Sequence, residues 1–458
     1  MEQVTIPKIT KCGLRNIGNT CYMNSIIQVI IHNNLLLPFF VKMERNKIKN
    51  EDNKIEDNDD QDPEEVVKDL FSESYNYFSD PIAEYEKYLM ESTSERLGNE
   101  IRKKHKINND EEVSISSDKY YQEIKNSLSR NYSETILNKI IFKGNTLITP
   151  SDFKLSLGKK RKCFIGNEQQ DAHETLTLFL DEIIEETGLE ATVKIKFREP
   201  YKQYVKAMKE FKNDIMDIEK LKNECTDELE MEKILNIRSN RLDELKLFKS
   251  SNPELVKHYN FVKYLIKINE KKHNPIIEKM RNFIVNERIC GNCGNSSFDF
   301  DCTNIIYVPI YGDSLNDCFE GFTNGKLENF RCNFCDGKSD ATTITKIVSP
   351  SPVLYITLER FNASNPMNVT KNEKEINIPM NINIEKYCDF ILDPVDCNYR
   401  LRGIVNHSGR YGYGHYTSHC LDLVNNKDWY GFNDSNVELI KNFQVDESQC
   451  YILLYEII

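Results

Sequence analysis

The sequence has no apolar run long enough to cross a bilayer. Its most apolar early stretch, IIQVIIHNNLLLPFF, is broken by His32, Asn33 and Asn34. The opening MEQVTIPKITKCGLRN lacks the apolar core of a secretory signal, and the closing YILLYEII carries no lipidation motif. An excess of basic charge is missing too. Sixty Lys and Arg against 72 Asp and Glu leave a net charge of −12, which argues against a general nucleic-acid binder and suits a partner with a basic face. No internal repeat is visible, which excludes a solenoid or a propeller. These absences predict a monomer in the cytoplasm or nucleus that engages neither membrane nor nucleic acid.

What is present points to a soluble chain with real cores and long polar segments: 39% apolar and 29% charged residues over 458 positions, enough for one large domain with insertions or for several ordinary ones. Residues 12–42 have a helical pattern, whereas 43–66 are charged, Asn-rich and nearly without apolar anchors, as a mobile loop would be. Residues 67–160 read as short helices. In EQQDAHETLTLFLDEIIEET (168–187), Ala172, Leu176, Phe179, Leu180 and Ile183 recur at helical spacing, with Gly188 as the stop. Residues 198–282 are Lys/Glu-rich with Leu and Ile at three- and four-residue steps, which predicts long amphipathic helices, such as an antiparallel pair. From about residue 283 short β-branched and aromatic runs predict strands.

There are fourteen cysteines. Without an export signal they are expected to be reduced, and some to serve as ligands or as a nucleophile. Cys21, in GNTCYMNS, precedes the apolar positions Met23, Ile26, Ile27 and Ile30, so it stands at a helix N-terminus. There the unpaired N–H groups and the helix dipole favour a thiolate and can stabilise an oxyanion. Asn16 offers a side-chain donor from the same loop. Equally, a cysteine at such a position can be a small buried hydrophobe. Of the eight histidines, His415 has the most suggestive setting, NHSGRYGYGHYTSHC, where glycines 409, 412 and 414 permit close approach to a substrate. If its strand pairs with the one in DWYGFNDSN, Asn433 or Asp434 can fix the imidazole tautomer. His407 and His419 read equally as core or surface, and Asn433-Asp434-Ser435 as an ordinary turn.

Two C-x-x-C pairs on Gly/Asn-rich turns, Cys290/Cys293 and Cys332/Cys335, have the spacing of zinc knuckles and predict a closed, structural Zn2+ site of four thiolates. A redox pair or two disulfides are the alternatives. Cys302 and Cys318 lie nearby and are expected to be buried thiols.

In order along the chain, GLRNIGNTCYMNSIIQVI, NEQQDAHETL, VLYITLERF, LRGIVNHSGRYGYGHYTSHCLDL, WYGFNDSNV and CYILLYE resemble the successive boxes of the ubiquitin-specific proteases, the papain-like cysteine deubiquitinases. The resemblance runs from about Gly13 to Tyr455, weakly over 43–160 and hardly at all over 198–282. It implies an α+β, hand-like fold. After an N-terminal lead (1–12), the catalytic domain (13–458) would have a thumb at about 13–190, a helical insertion at about 198–282, zinc-bearing fingers at about 283–345 and a palm at about 346–458. It implies that Cys21 is the nucleophile, His415 the general base, Asn433 the third member with Asp434 its rival, and Asn16 the oxyanion donor. Asp171 and Glu174 would contact the Arg- and Gly-containing tail of ubiquitin, although as residues alone they read as a solvated helix face, as does His173. Gly414 and Tyr416 beside the base would line a channel for the Gly-Gly tail. Glu359 departs from the basic residue usual at its position. The implied activity is hydrolysis of the (iso)peptide bond after ubiquitin's C-terminal glycine, through a thioester, on ubiquitin and ubiquitinated proteins. Rival readings are a protease for another ubiquitin-like modifier, an inactive ubiquitin-binding module, and a zinc-dependent nucleic-acid binder. The insertion would carry a partner site or only decorate the domain.

Overall fold

A computed structural model describes residues 11–37, 128–187, 199–269, 279–362, 369–391 and 394–458. The charged loop expected at 43–66, the part of 67–160 before residue 128, and the helix stop at Gly188 lie outside them. The first elements are β1 (Gly13–Leu14), α1 (Cys21–Ile31), α2 (Leu128–Asn131), which continues as a π-helix over Tyr132–Phe142, β2 (Leu147–Ile148), α3 (Ser151–Lys160) and α4 (Ala172–Thr187). Three helices follow, α5 (Tyr201–Glu224), α6 (Glu228–Ser250) and α7 (Pro253–Asn269). Then come β3 (Asn282–Cys290), β4 (Ser296–Thr303), β5 (Ile305–Val308), α8 (Leu315–Thr323), β6 (Asn324–Arg331), β7 (Lys338–Ser349) and β8 (Val353–Leu358). The chain ends with β9 (Phe361–Asn362), β10 (Thr370–Lys371), β11 (Asn381–Asn383), β12 (Asn398–Arg410), β13 (Tyr413–Leu421), β14 (Trp429–Asn433), β15 (Asn436–Ile440) and β16 (Cys450–Ile457).

The larger sheet has the order β15-β14-β13-β12-β16-β8-β5, with β11 added beside β12. Its central strands read as unbroken apolar runs, VLYITL in β8 and YILLY within β16, because both faces are covered. The two-residue period of a strand divides them. Val353, Tyr355, Ile452 and Leu454 pack with α1 and α4, whereas Leu354, Ile356, Leu358, Leu453 and Tyr455 pack with α8 on the other face. Every residue of α1 is buried, which is why its sequence, CYMNSIIQVII, is apolar nearly all round. Its polar residues are spent on the backbone beside it: Gln28 donates to the Cys12 carbonyl at 2.7 Å and Asn24 to that of Leu14 at 3.2 Å.

The smaller sheet, β4-β3-β7-β6, carries the two C-x-x-C turns at one end. The insertion holds the expected antiparallel pair, α5 and α6, and a third helix. Asp227 caps α6 by accepting from the Leu229 and Glu230 N–H groups at 2.8 and 3.0 Å, and Pro253 starts α7, where a missing N–H costs nothing. Phe261 of α7 packs edge-on against Phe283 of β3 and tilted against Phe300 of β4, so the third helix belongs to the core under the small sheet.

Candidate active site

The loop before α1 is wound around one side chain. The Asn16 Oδ1 accepts from the Gly18 and Thr20 N–H groups, both at 3.1 Å. Gly18 (φ +111°) and Asn19 (φ +51°) take the left-handed conformations this requires, which is the physical content of the Gly-Asn pair in GNTC. Thr20 gives α1 no side-chain cap, and the first turn holds no acidic residue, so no side chain of its own opposes a negative charge at Cys21. Cys21 is the first residue of α1 and is nearly buried.

The imidazole arrives from the opposite end of the chain. β13 pairs antiparallel with β14, with Ser418 opposite Phe432. One step further on, Asn433 shares a face with His415 as its diagonal neighbour. Asn433 Oδ1 accepts from His415 Nε2 at 2.8 Å, which leaves the other ring nitrogen for Cys21. Interaction with Cys21 is the main reason His415 is pushed up to about 9, with Asn433 and the charges of Cys21 and Asp434 adding to it against the opposing effect of burial. So raised, the ring keeps its proton at neutral pH.

Asp434, the rival third member, does not occupy the place beside the ring. Its Oδ2 accepts from Asn16 Nδ2 at 2.9 Å and its Oδ1 from Asn24 Nδ2 at 2.7 Å. An amide has two donor hydrogens, so Asn16 keeps one for a ligand.

The four residues expected to contact the substrate fare differently. Glu174 is exposed at the start of α4. Asp171 is largely enclosed: the Tyr451 hydroxyl donates to both its oxygens at 3.0 Å, the His173 N–H donates to it at 2.6 Å, and burial pushes it up to about 6. Gly414 offers no free backbone group, since its N–H and C=O are both bonded to Gln169, and a side chain there would collide with the His407 ring. Tyr416 is a correction. It is only 6% exposed, its ring lies 4.7 Å from that of His407, and it forms the wall beneath the site, because alternate residues of β13 face the core.

The other histidines weighed from the sequence have ordinary explanations. His407 is buried among aromatic rings and pushed down to about 4 by burial; His419 packs against Phe443. His173, read as solvated, is instead half-buried, with Nδ1 2.9 Å from Thr357 Oγ1. Gln169 and Asn24 were not singled out as site residues. Asn24 had a signal, being a polar residue one turn after Cys21 in a largely apolar helix; Gln169 lies in the NEQQDAHETL box, but nothing in the sequence marks its bond to backbone.

At the far end of the small sheet the sulfurs of Cys290, Cys293, Cys332 and Cys335 all lie within 4.8 Å of one another. The Cys293–Cys332 and Cys290–Cys335 separations are 3.6 and 3.9 Å, close to the ~3.8 Å expected of thiolates ~2.3 Å from a tetrahedral centre. Donors approach the sulfurs: the Phe334 N–H to Cys332 and Asn295 Nδ2 to Cys293, both at 3.4 Å. All fourteen cysteines are free thiols, so the disulfide alternative is not realised. The four-sulfur cluster can hold a metal ion. Cys318 is buried as expected; Cys302 is half-exposed, because β4 is an edge strand.

A helix-borne thiol facing a sheet-borne imidazole, with an amide oxygen behind the ring, defines a cysteine hydrolase of papain-like α+β fold. The profile of the ubiquitin carboxyl-terminal hydrolase family matches residues 12–455, and the chain belongs to that family; it is a cysteine-type deubiquitinase. It is 25% identical to a probable ubiquitin carboxyl-terminal hydrolase of Acanthamoeba polyphaga mimivirus, over 97% of this chain and 89% of that one. It is 32% identical to human ubiquitin carboxyl-terminal hydrolase 21 over 37% of this chain and 31% of that protein. Among solved structures it is similar to the SAGA Ubp8/Sgf11/Sus1/Sgf73 DUB module bound to ubiquitin aldehyde, with a TM-score of 0.56 at 17% identity, covering 100% of this chain and 72% of that one.

Proposed function

We propose that Cys21 is the nucleophile and His415 the acid–base group in hydrolysis of the amide that follows the C-terminal glycine of ubiquitin. The observation that carries this is the Cys21–His415–Asn433 constellation, in which the ring donates to the Asn433 amide oxygen at 2.8 Å and Cys21, at the start of α1, is the main influence raising the ring's pKa. The thiolate attacks the glycine carbonyl carbon, and the carbonyl π electrons move onto oxygen. The second N–H of Asn16 and the first N–H groups of α1 receive that oxyanion. The imidazolium gives its proton to the departing amine as the C–N bond breaks, leaving a thioester. Neutral His415 then takes a proton from water, hydroxide adds to the thioester carbon, and collapse releases the carboxylate and restores the thiolate. Asn433 holds the ring in orientation through both halves.

Zinc is the ion proposed for the Cys290, Cys293, Cys332 and Cys335 cluster. Four thiolates leave no open position, so the role is structural, tying two hairpin turns together. Glu174 and Asp171 are the carboxylates proposed to meet the basic tail, Glu174 by exposure and Asp171 chiefly through the backbone it organises.

The test is covalent labelling with ubiquitin bearing a C-terminal electrophile. Wild type and Cys12→Ala should form the adduct and Cys21→Ala should not. Equal labelling by a ubiquitin-like modifier carrying the same electrophile would move the substrate to that class, and failure of wild type to react would leave only a binding module.

A further inference from the structure

The two halves of the site come from separate parts of the fold, Cys21 on a helix and His415 on a strand. Their spacing needs a fixed connection. His415 lies on the first half of β13, where the sheet gives poor support. β14 pairs with β13 only over Ser418–Leu421, so residues 413–417 form a free edge on that side. The hairpin tip beyond them, Tyr411–Tyr413, is exposed.

Gln169 fills that edge. Its Oε1 accepts from the Gly414 N–H at 2.8 Å and its Nε2 donates to the Gly414 carbonyl, also at 2.8 Å. A single side-chain amide thus supplies the donor and acceptor that a paired strand would supply, on the residue directly before His415. Residue 414 must itself be glycine for a separate reason: a Cβ there would lie 2.1 Å from the His407 ring. Two residues before Gln169, the Asn167 carbonyl accepts from Asn19 Nδ2 at 2.8 Å, in the loop that leads into Cys21. The short segment 167–169 is therefore tied to the nucleophile's loop at one end and to the base's strand at the other.

We propose that Gln169 is a positioning residue for this hydrolase, and that the segment Asn167–Gln169 is a strap that sets the separation of Cys21 and His415. It touches neither reacting atom. It acts by preventing the edge of β13 from moving away from α1, and a displacement of the order of 1 Å between reacting groups costs about 10²-fold in rate. This reading rests on Cys21 and His415 being the reacting pair.

The experiment uses the full chain and the near-isosteric Gln169→Met, which removes both bonds, beside Gln169→Glu, which keeps the bond from the Gly414 N–H and sets a carboxylate against the Gly414 carbonyl. The first readout needs no ubiquitin: the alkylation rate of Cys21 by iodoacetamide at pH 7, resolved from the other cysteines by mass spectrometry. Reactivity follows thiolate content, which His415 sustains. Gln169→Met should alkylate Cys21 about 10-fold more slowly than wild type, and Gln169→Glu should fall between them. The second readout is turnover of ubiquitin carrying a C-terminal fluorescent amide, where Gln169→Met should lower kcat about 10- to 100-fold and leave KM within about threefold. An alkylation rate within twofold of wild type, or a loss confined to KM, overturns the strap. If Gln169→Met fails to fold, Gln169→Glu is expected to slow alkylation about threefold to 10-fold, and a rate within twofold of wild type overturns the strap. Wild type that alkylates readily at Cys21 but does not turn over the ubiquitin substrate would instead overturn the assigned substrate and leave the strap standing.

Discussion

Asn16 and Asp434 are 418 residues apart in the chain and 2.9 Å apart in space. The same carboxylate holds Asn24 at 2.7 Å, so one aspartate pins the oxyanion loop and the first turns of α1 to the β14–β15 turn. In the mechanism proposed above, Asp434 supports the oxyanion donor Asn16, while Asn433 orients the imidazole. Two adjacent residues of one turn thus engage different partners, and Asp434 takes a left-handed conformation (φ +50°) there.

Asp434→Ala should release Asn16 and lower kcat by about 10- to 100-fold with KM little changed, since loss of one oxyanion donor costs about 10²–10³. Asp434→Asn keeps one acceptor oxygen and tolerates the left-handed backbone, so it should lose less. Steady-state turnover of a ubiquitin amide by the two variants checks the order. A larger defect in Asp434→Asn than in Asp434→Ala would contradict it.

The pH dependence follows from His415, which is raised from 6.5 to about 9. A base whose folded value is raised binds its proton more tightly in the fold, so its stabilising contribution is fully present below about 6.5 and is lost as pH rises through about 9. The imidazolium that protonates the leaving amine disappears over the same upper range, and kcat should fall there. Cys21 is the first cause of the elevation, so in Cys21→Ala the ring should titrate well below 9, as imidazole NMR shifts would show. An unchanged titration would mean that the sulfur does not pair with the ring.

Much of the site was legible because its signals are local. A glycine, an asparagine and a thiol ahead of an apolar helix describe Cys21 without any partner in view. The strands of His415 and Asn433 follow one another closely enough to suggest a hairpin, though their register appears only in the fold, and two C-x-x-C turns announce a cluster wherever the chain carries them. What could not be read depends on contacts between distant segments. Gln169 binds backbone, which has no sequence signature. Tyr416 and Gly414 were taken as a channel lining because they flank His415, but Tyr416 sits on the core side of the strand pleat and Gly414 has spent its backbone groups on Gln169. The exposure of Cys302 follows from β4 being an edge strand, a property of sheet order and not of composition.

The four-sulfur cluster predicts one zinc per chain by elemental analysis, and Cys332→Ser should lose it. Besides the cluster, the turn at Gly291–Asn295 is held to the start of β7, just after the Cys332–Gly337 turn, by bonds such as Gly291 N–H to the Asp340 carbonyl at 3.0 Å. Chelation by a strong thiol-competing ligand should expose both turns to proteolysis. The large sheet, with its own two-sided core, should resist. Metal-free protein with unaltered turn protection would show that the cluster is stable as thiols.

The insertion makes the sharpest structural prediction, because its two ends behave oppositely. α7 is built into the fold: Phe261 is fully buried against Phe283 and Phe300, and Lys257 reaches Asp389 at 2.9 Å. The α5–α6 hairpin projects away, joined along its length by Arg241–Asp214 and Arg238–Glu219 pairs, and within residues 212–237 only Ile234 is buried. Exposed ion pairs are worth about 0–1 kcal/mol each, so they cannot make the hairpin tip essential to the domain. Phe261→Ala removes a large core ring and should cost about 3–5 kcal/mol of stability. Leu229→Ala, at 69% exposure, should change it by less than about 0.5 kcal/mol. Replacing residues 216–237 with a short flexible turn should likewise leave the unfolding midpoint and probe labelling near wild type, since the stacked Tyr204–Phe248 pair closes the base of the hairpin below the cut. Loss of Cys21 labelling in that shortened chain would mean that the tip supports the catalytic core through contacts other than those that pack it.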